Sequence, residues 1–177
     1  MKKLFTVVAF VLFGMLIASN LSAYSYDSWK FEPTVGPTLG LRNWGGHQFS
    51  MNLKLAKGDM WGGMMGFSFA GANKAQIKLA LVFDYPFYLT FDKANDFAIG
   101  PTVDVGPKFG FGNVGTAVDF FNLGFGVRTA YRFNDRFGVV AELFHLSMSF
   151  VQWVSGVGTN GNFALAYDIR AGIFLMF

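Results

Sequence analysis

WKFEPTVGPTLGLR, Trp29 to Arg42, decides the fold. Its odd positions are Trp, Phe, Pro, Val, Pro, Leu and Leu; its even positions are Lys, Glu, Thr, Gly, Thr, Gly and Arg. A helix does not sort residues by parity. A strand does, because successive side chains point to opposite faces. The alternation resumes over His47–Ala56, Met60–Ala70, Ala75–Phe91, Phe97–Phe111, Phe121–Phe133, Phe137–Phe150 and Phe163–Phe177. Turn-forming residues separate these segments at 43–46, 57–59, 71–74, 93–96 and 134–136. Longer loops are expected at Gly112–Asp119 and about Val151–Asn162. The reading is all-β, with eight strands and no helix.

Charge placement says which face is which. Lys30, Glu32, Arg42, Lys54, Lys78, Asp84, Asp104, Lys108, Arg128, Arg132, Glu142, Asp168 and Arg170 all stand at even positions. Odd-numbered charges, Asp27, Lys57, Asp59, Lys93, Asp119 and Asp135, fall in the expected turns and flanks. The odd face is a continuous Phe, Leu, Val, Ile and Trp band. It is too bulky for the inside of an eight-stranded barrel, which holds little more than its own side chains. It suits hydrocarbon, where only helices and closed barrels satisfy every backbone group. Composition agrees: 53% of residues are hydrophobic, 14% are charged, and Phe occurs 23 times. Soluble domains carry about a quarter charged residues. Trp29, Phe31, Trp61, Phe91, Phe97, Tyr131, Phe133 and Phe137 gather at one rim, as an interfacial aromatic girdle does.

The first 23 residues are a separate matter. Lys2 and Lys3 precede an apolar run, Leu4–Ile17, and small or polar residues lead to Ala23. This reads as a secretory signal peptide cut after Ala23, leaving residues 24–177 as the barrel. Without it 12 basic and 11 acidic residues remain, a formal charge of +1, and the apparent basicity implies no nucleic-acid partner. With no cysteine there is no disulfide scaffold, thiolate metal site or lipid-modified cysteine. The two histidines, His47 and His145, are far apart in sequence and the acids are scattered, so neither a metal nor a cofactor is expected.

The eight alternating segments, the signal peptide, Tyr131-Arg132-Phe133-Asn134-Asp135-Arg136 and the terminal Phe177 together resemble the small eight-stranded outer-membrane barrels of the OmpA/OmpX type. The resemblance implies an antiparallel up-and-down transmembrane barrel in the bacterial outer membrane, with both ends in the periplasm. Its surroundings would be outer-membrane lipid and lipopolysaccharide. It also implies that Phe177 belongs to a signal read by the barrel-assembly machinery. A structural role or narrow small-solute permeation follows, through a lumen packed with the even-face ion pairs.

Two features bear on a different role. The five prolines, Pro33, Pro37, Pro86, Pro101 and Pro107, lie within strands, where proline cannot donate to the ladder. PTVGPTLGL and PTVDVGPKFGF share a pattern, read either as a repeated bulge or as a gap admitting a lipid chain. Lipid A palmitoyltransferases are similar in using proline-weakened strand pairs. The second feature is Glu142–Phe150, ELFHLSMSF, where apolar parity slips. A bulge near 143–144 would turn His145, Ser147 and Ser149 inward; without it they face lipid. His-x-Ser resembles the motif of the lipid A deacylases, which implies His145 as base and Ser147 as nucleophile. The match stops there, because no acid follows Ser147 except Asp168, whose parity points inward.

Overall fold

A computed structural model describes residues 29–42, 46–57, 61–70, 74–85, 87–92, 95–112, 115–134, 136–150, 152–155, 158–160 and 163–177. The expected leader, Pro86 and parts of several expected turns lie outside them. The strands are β1 (Trp29–Arg42), β2 (Gln48–Lys57), β3 (Trp61–Phe69), β4 (Lys74–Asp84), β5 (Phe87–Asp92), β6 (Asn95–Gly112), β7 (Gly115–Asn134), β8 (Phe137–Ser149), β9 (Gln152–Val154), β10 (Gly158–Asn160) and β11 (Ala164–Met176). All pairings are antiparallel. They run β1–β2–β3–β4–β6–β7–β8–β11 and return to β1, so the sheet closes. β4 and β5 both pair with β6 in one register and form a single stave interrupted between Asp84 and Phe87. The barrel therefore has eight staves. β9 and β10 are a short hairpin added to the far end of β7.

Ladder partners traced from Lys30 pass through Ala56, Gly62, Val82, Asp104, Gly124, Ser147 and Ala166 to Gly40. The circuit returns ten residues further along β1, a stagger that tilts the staves by roughly 40°. At that tilt the nine residues of β3 cover about 23 Å, close to the height of a transmembrane apolar band.

Polarity is inverted relative to a soluble protein. Among the described residues, 22 polar or charged residues are buried against eight apolar ones, and 28 large apolar side chains are exposed. A water-soluble barrel with this exterior would leave most of its apolar surface wet. The protein is a transmembrane β-barrel of the outer-membrane type. Trp29, Trp61 and Phe133 are exposed at the rim that holds both strand termini, and Phe133 packs on Tyr131 and Phe137. There the backbones of Trp29 and Phe177 exchange two hydrogen bonds of 2.9 Å.

The expected loop at 112–119 is not one. β6 runs to Gly112 and β7 starts at Gly115, and the two pair down to that hairpin. Asp119 is buried inside the barrel. Parity had to slip for this, and Phe120 and Phe121 both face outward in a bulge opposite Pro107. β8 repeats the device: Leu143 and Phe144 both face outward, opposite Ile169. The extra carbonyl is not left bare in hydrocarbon, since the Tyr167 hydroxyl donates to Leu143 O.

The repeated proline pattern is not a repeated bulge. β1 keeps one register against β2 through Pro33 and Pro37. What the two copies share is a Gly-Pro step at Gly36-Pro37 and Gly106-Pro107. A Cβ on either glycine would run into a neighbouring strand's backbone carbonyl, Ile169 O or Leu79 O. At both steps ladder pairs are missing, toward β11 and toward β4. The stave folds over its neighbour there, and the following proline has no N–H to leave unpaired.

Candidate functional site: the charged lumen

The inward faces form layers. Near the rim that holds the termini, Arg128 donates to both carboxylate oxygens of Glu32, through Nε at 3.2 Å and through Nη2. Lys54 pairs with Asp84, whose other neighbour is Arg128 Nε at 3.8 Å. Lys30 lies 3.9 Å from Glu32 and 5.5 Å from the centre of the Phe174 ring. Each of these charged groups is buried, and the fork of Arg128 suits a carboxylate held in both hands.

The middle layer is built by β4, β6, β8 and β11. Lys78 pairs with Asp104. His145 Nε2 lies 2.9 Å from Asp104 Oδ2, and its Nδ1 lies 3.0 Å from Asp168 Oδ2. The same Asp168 oxygen accepts from Ser147 at 2.7 Å and from Arg170 at 3.0 Å. Arg170 reaches Glu142 at 3.2 Å. Ionised carboxylates only accept, so two contacts to His145 call for a doubly protonated ring. Lys78, Arg170 and that imidazolium then balance Asp104, Asp168 and Glu142. Gly124 makes room, because a Cβ there would meet both the Asp104 carboxylate and the His145 ring.

Toward the opposite rim the lining becomes mostly neutral. Lys108 pairs with Asp119 at 3.4 Å, and Ser149 and Asn122 continue the chain at 3.0 and 2.9 Å. Thr38, Ser50 and Ser68 form a hydroxyl ladder across three strands, at 2.6 and 2.9 Å. The space left among these groups and Lys78 is about 20 Å³, enough for about one water.

Eleven of the thirteen even-face charges of the sequence are buried in these layers. Arg42 is exposed at the end of β1, and Arg132 is half-buried. Asp119, Asn122 and Ser149 belong to the network although charge parity alone does not find them. The readable signal for Asp119 was the Phe120-Phe121 doublet, the counterpart of Leu143-Phe144 in β8.

His145 and Ser147 lie inside the barrel, turned inward by the bulge that precedes them. A serine nucleophile needs a base on its hydroxyl. Here Ser147 donates to Asp168, and both His145 nitrogens face carboxylates. Both side chains meet at the same Asp168 oxygen, within the ion network of the lumen. Among the described residues no group of three His, Cys, Asp or Glu side chains is arranged to hold a metal ion.

No protein family and no curated protein matches the chain. Solved structures similar to it include neisserial surface protein A, at 10% identity over 84% of this chain and 97% of that one, with a TM-score of 0.49. A major outer membrane protein of Thermus thermophilus matches at 14% identity over 85% and 98%, with a TM-score of 0.44. Ail of Yersinia pestis, solved with the heparin analogue sucrose octasulfate, matches at 10% over 86% and 100%, with a TM-score of 0.37. Likeness at this level adds nothing to what the closed ladder and inverted polarity establish.

Proposed function

We propose that the protein is a structural barrel of the bacterial outer membrane, exported by its leader and closed to solutes, with the rim that holds both strand termini on the periplasmic side. The observation that carries this reading is the filled lumen. Seven buried cations, Lys30, Lys54, Lys78, Lys108, Arg128, Arg170 and the His145 imidazolium, meet six buried anions, Glu32, Asp84, Asp104, Asp119, Glu142 and Asp168, in contact with one another. A permeation path needs groups that release their ions, and these are engaged with each other. The Arg128–Glu32 fork and Lys54–Asp84 pair span the lumen as a septum.

Reconstitution in a planar bilayer tests it. The expected result is no steady conductance from the intact protein in simple salt, with the folded barrel verified by its heat-modifiable gel mobility. Resolved unitary currents would replace this reading with the narrow-channel one. Both His145 nitrogens are engaged with carboxylates and the Ser147 hydroxyl is held by Asp168, so alanine at Ser147 should leave the lipid A profile of the host unchanged by mass spectrometry.

A further inference from the structure

The outer wall is not uniformly thick with side chains. At Gly63 on β3 an outward position carries none, and no heavy atom lies within 4 Å of where a Cβ would stand. Around it is a crevice of about 740 Å³ on the exterior of β2, β3, β4 and β6. Its lining is almost wholly apolar, with Leu53, Leu55, Met65, Leu79, Leu81 and Pro107 beside the buried Met64 and Ala80; Lys54, itself buried, is the one charged residue described there. The β4–β6 ladder is missing pairs at Leu79, Ala80, Gly106 and Pro107, so the crevice runs along a seam in the wall. The seam itself is closed, since Gly106 packs against the Leu79 carbonyl.

We infer that this crevice holds one acyl chain of a phospholipid from the leaflet on the side of the strand termini. The crevice is continuous with the lipid-facing band, where hydrocarbon is the only solvent. A row of ladder partners, Phe31, Leu55, Gly63, Leu81 and Val105, crosses it. Two residues beyond this row, Lys57 and Trp61 are paired at the rim, where a cation and an indole suit an anionic headgroup. Methionine at position 65 gives the wall a flexible side that adapts to a chain. A chain lodged there is retained where lipids on the smooth wall exchange freely. The choice of leaflet rests on the orientation proposed above.

Gly63→Leu is the decisive variant. It places a side chain in the middle of the crevice, and the open space around the position lets the barrel fold. Ala171→Leu, an equally exposed position on β11, is the control. Each full-length protein is exposed to equal amounts of phosphatidylglycerol and lipid A in mild detergent, verified as folded by gel mobility, and released for native mass spectrometry. The expected spectrum shows one phosphatidylglycerol adduct on the unmodified protein and on Ala171→Leu, reduced about tenfold in Gly63→Leu. Absence of an adduct, or equal adducts in all three proteins, overturns the crevice as a lipid site. A lipid A adduct that Gly63→Leu abolishes overturns the phospholipid assignment and, with it, the orientation, while leaving the bilayer test of the closed lumen untouched.

Discussion

Asp168 shows how much can hang on one atom. Its Oδ2 accepts from His145, Ser147 and Arg170, and all four residues are buried. Removing a single partner from such a set leaves uncompensated charge in a buried place. Asp168→Asn keeps the size and loses the charge, and is expected to destabilise the barrel by about 3–5 kcal/mol. Urea unfolding in lipid vesicles, followed by tryptophan fluorescence, measures this; a loss below that of a typical surface substitution would contradict the network. Tyr167 is the outward counterpart. Its hydroxyl satisfies the Leu143 carbonyl at the β8 bulge, so Tyr167→Phe should cost about 1–3 kcal/mol in the same assay although it adds apolar surface to a lipid-facing position. In a membrane, a more hydrophobic residue destabilises when it strands a backbone group.

At the scale of the element, two devices reshape otherwise regular strands. Bulges in β7 and β8 rotate everything beyond them by one face, which brings Asp119 inward at one and His145, Ser147 and Ser149 inward at the other. Deleting Leu143 alone leaves Phe144 opposite Ile169 and keeps His145, Ser147 and Ser149 inward, whereas deleting Leu143 and Phe144 together turns those three toward lipid. The double deletion is expected not to reach the heat-modifiable folded form. The second device is the Gly-Pro step. Gly36→Val sets side-chain carbons against the Ile169 carbonyl and should block closure between β1 and β11, whereas Gly63→Leu, with empty space at its Cβ, should fold normally. Comparison of folded fractions after refolding from urea separates the two glycine classes. A valine tolerated at position 36 would mean that the staves do not approach as closely as described.

For the molecule as a whole, closure is the central event, because β1 and β11 are distant in sequence and must meet before the lumen exists. Trp29 and Phe177 join the two at the rim, and the Phe177 side chain stays exposed at 72%. We propose that this exposed aromatic, placed beside the closing seam, takes part in assembly. Phe177→Ala should slow appearance of the folded form in outer-membrane fractions, read by pulse-labelling and gel mobility, while leaving the stability of barrels already formed within about 1 kcal/mol, as for other exposed substitutions. Normal assembly kinetics would remove Phe177 from that role.

Period-two patterning with charge confined to one parity was enough, in the residues themselves, to specify eight staves, an apolar exterior and a charged interior. Alternation in a strand is local, and hydrocarbon penalises any lapse. Even the Leu143-Phe144 slip was visible as a change of apolar parity, although the residues alone left open whether His145, Ser147 and Ser149 face lumen or lipid. Three things waited for the tertiary structure. Asp119 read as a loop residue because its parity depends on a bulge that stands opposite Pro107 on a different strand. The Gly-Pro steps read as bulges or gaps because a glycine's close contact is with a neighbour's carbonyl, set by the ten-residue stagger. The role of His145 turned on which groups surround it. Asp104 and Asp168 come from strands 41 and 23 residues away in the chain, and only closing the barrel brings both to its two nitrogens. Parity along a strand is a one-dimensional property; partners across a lumen are not.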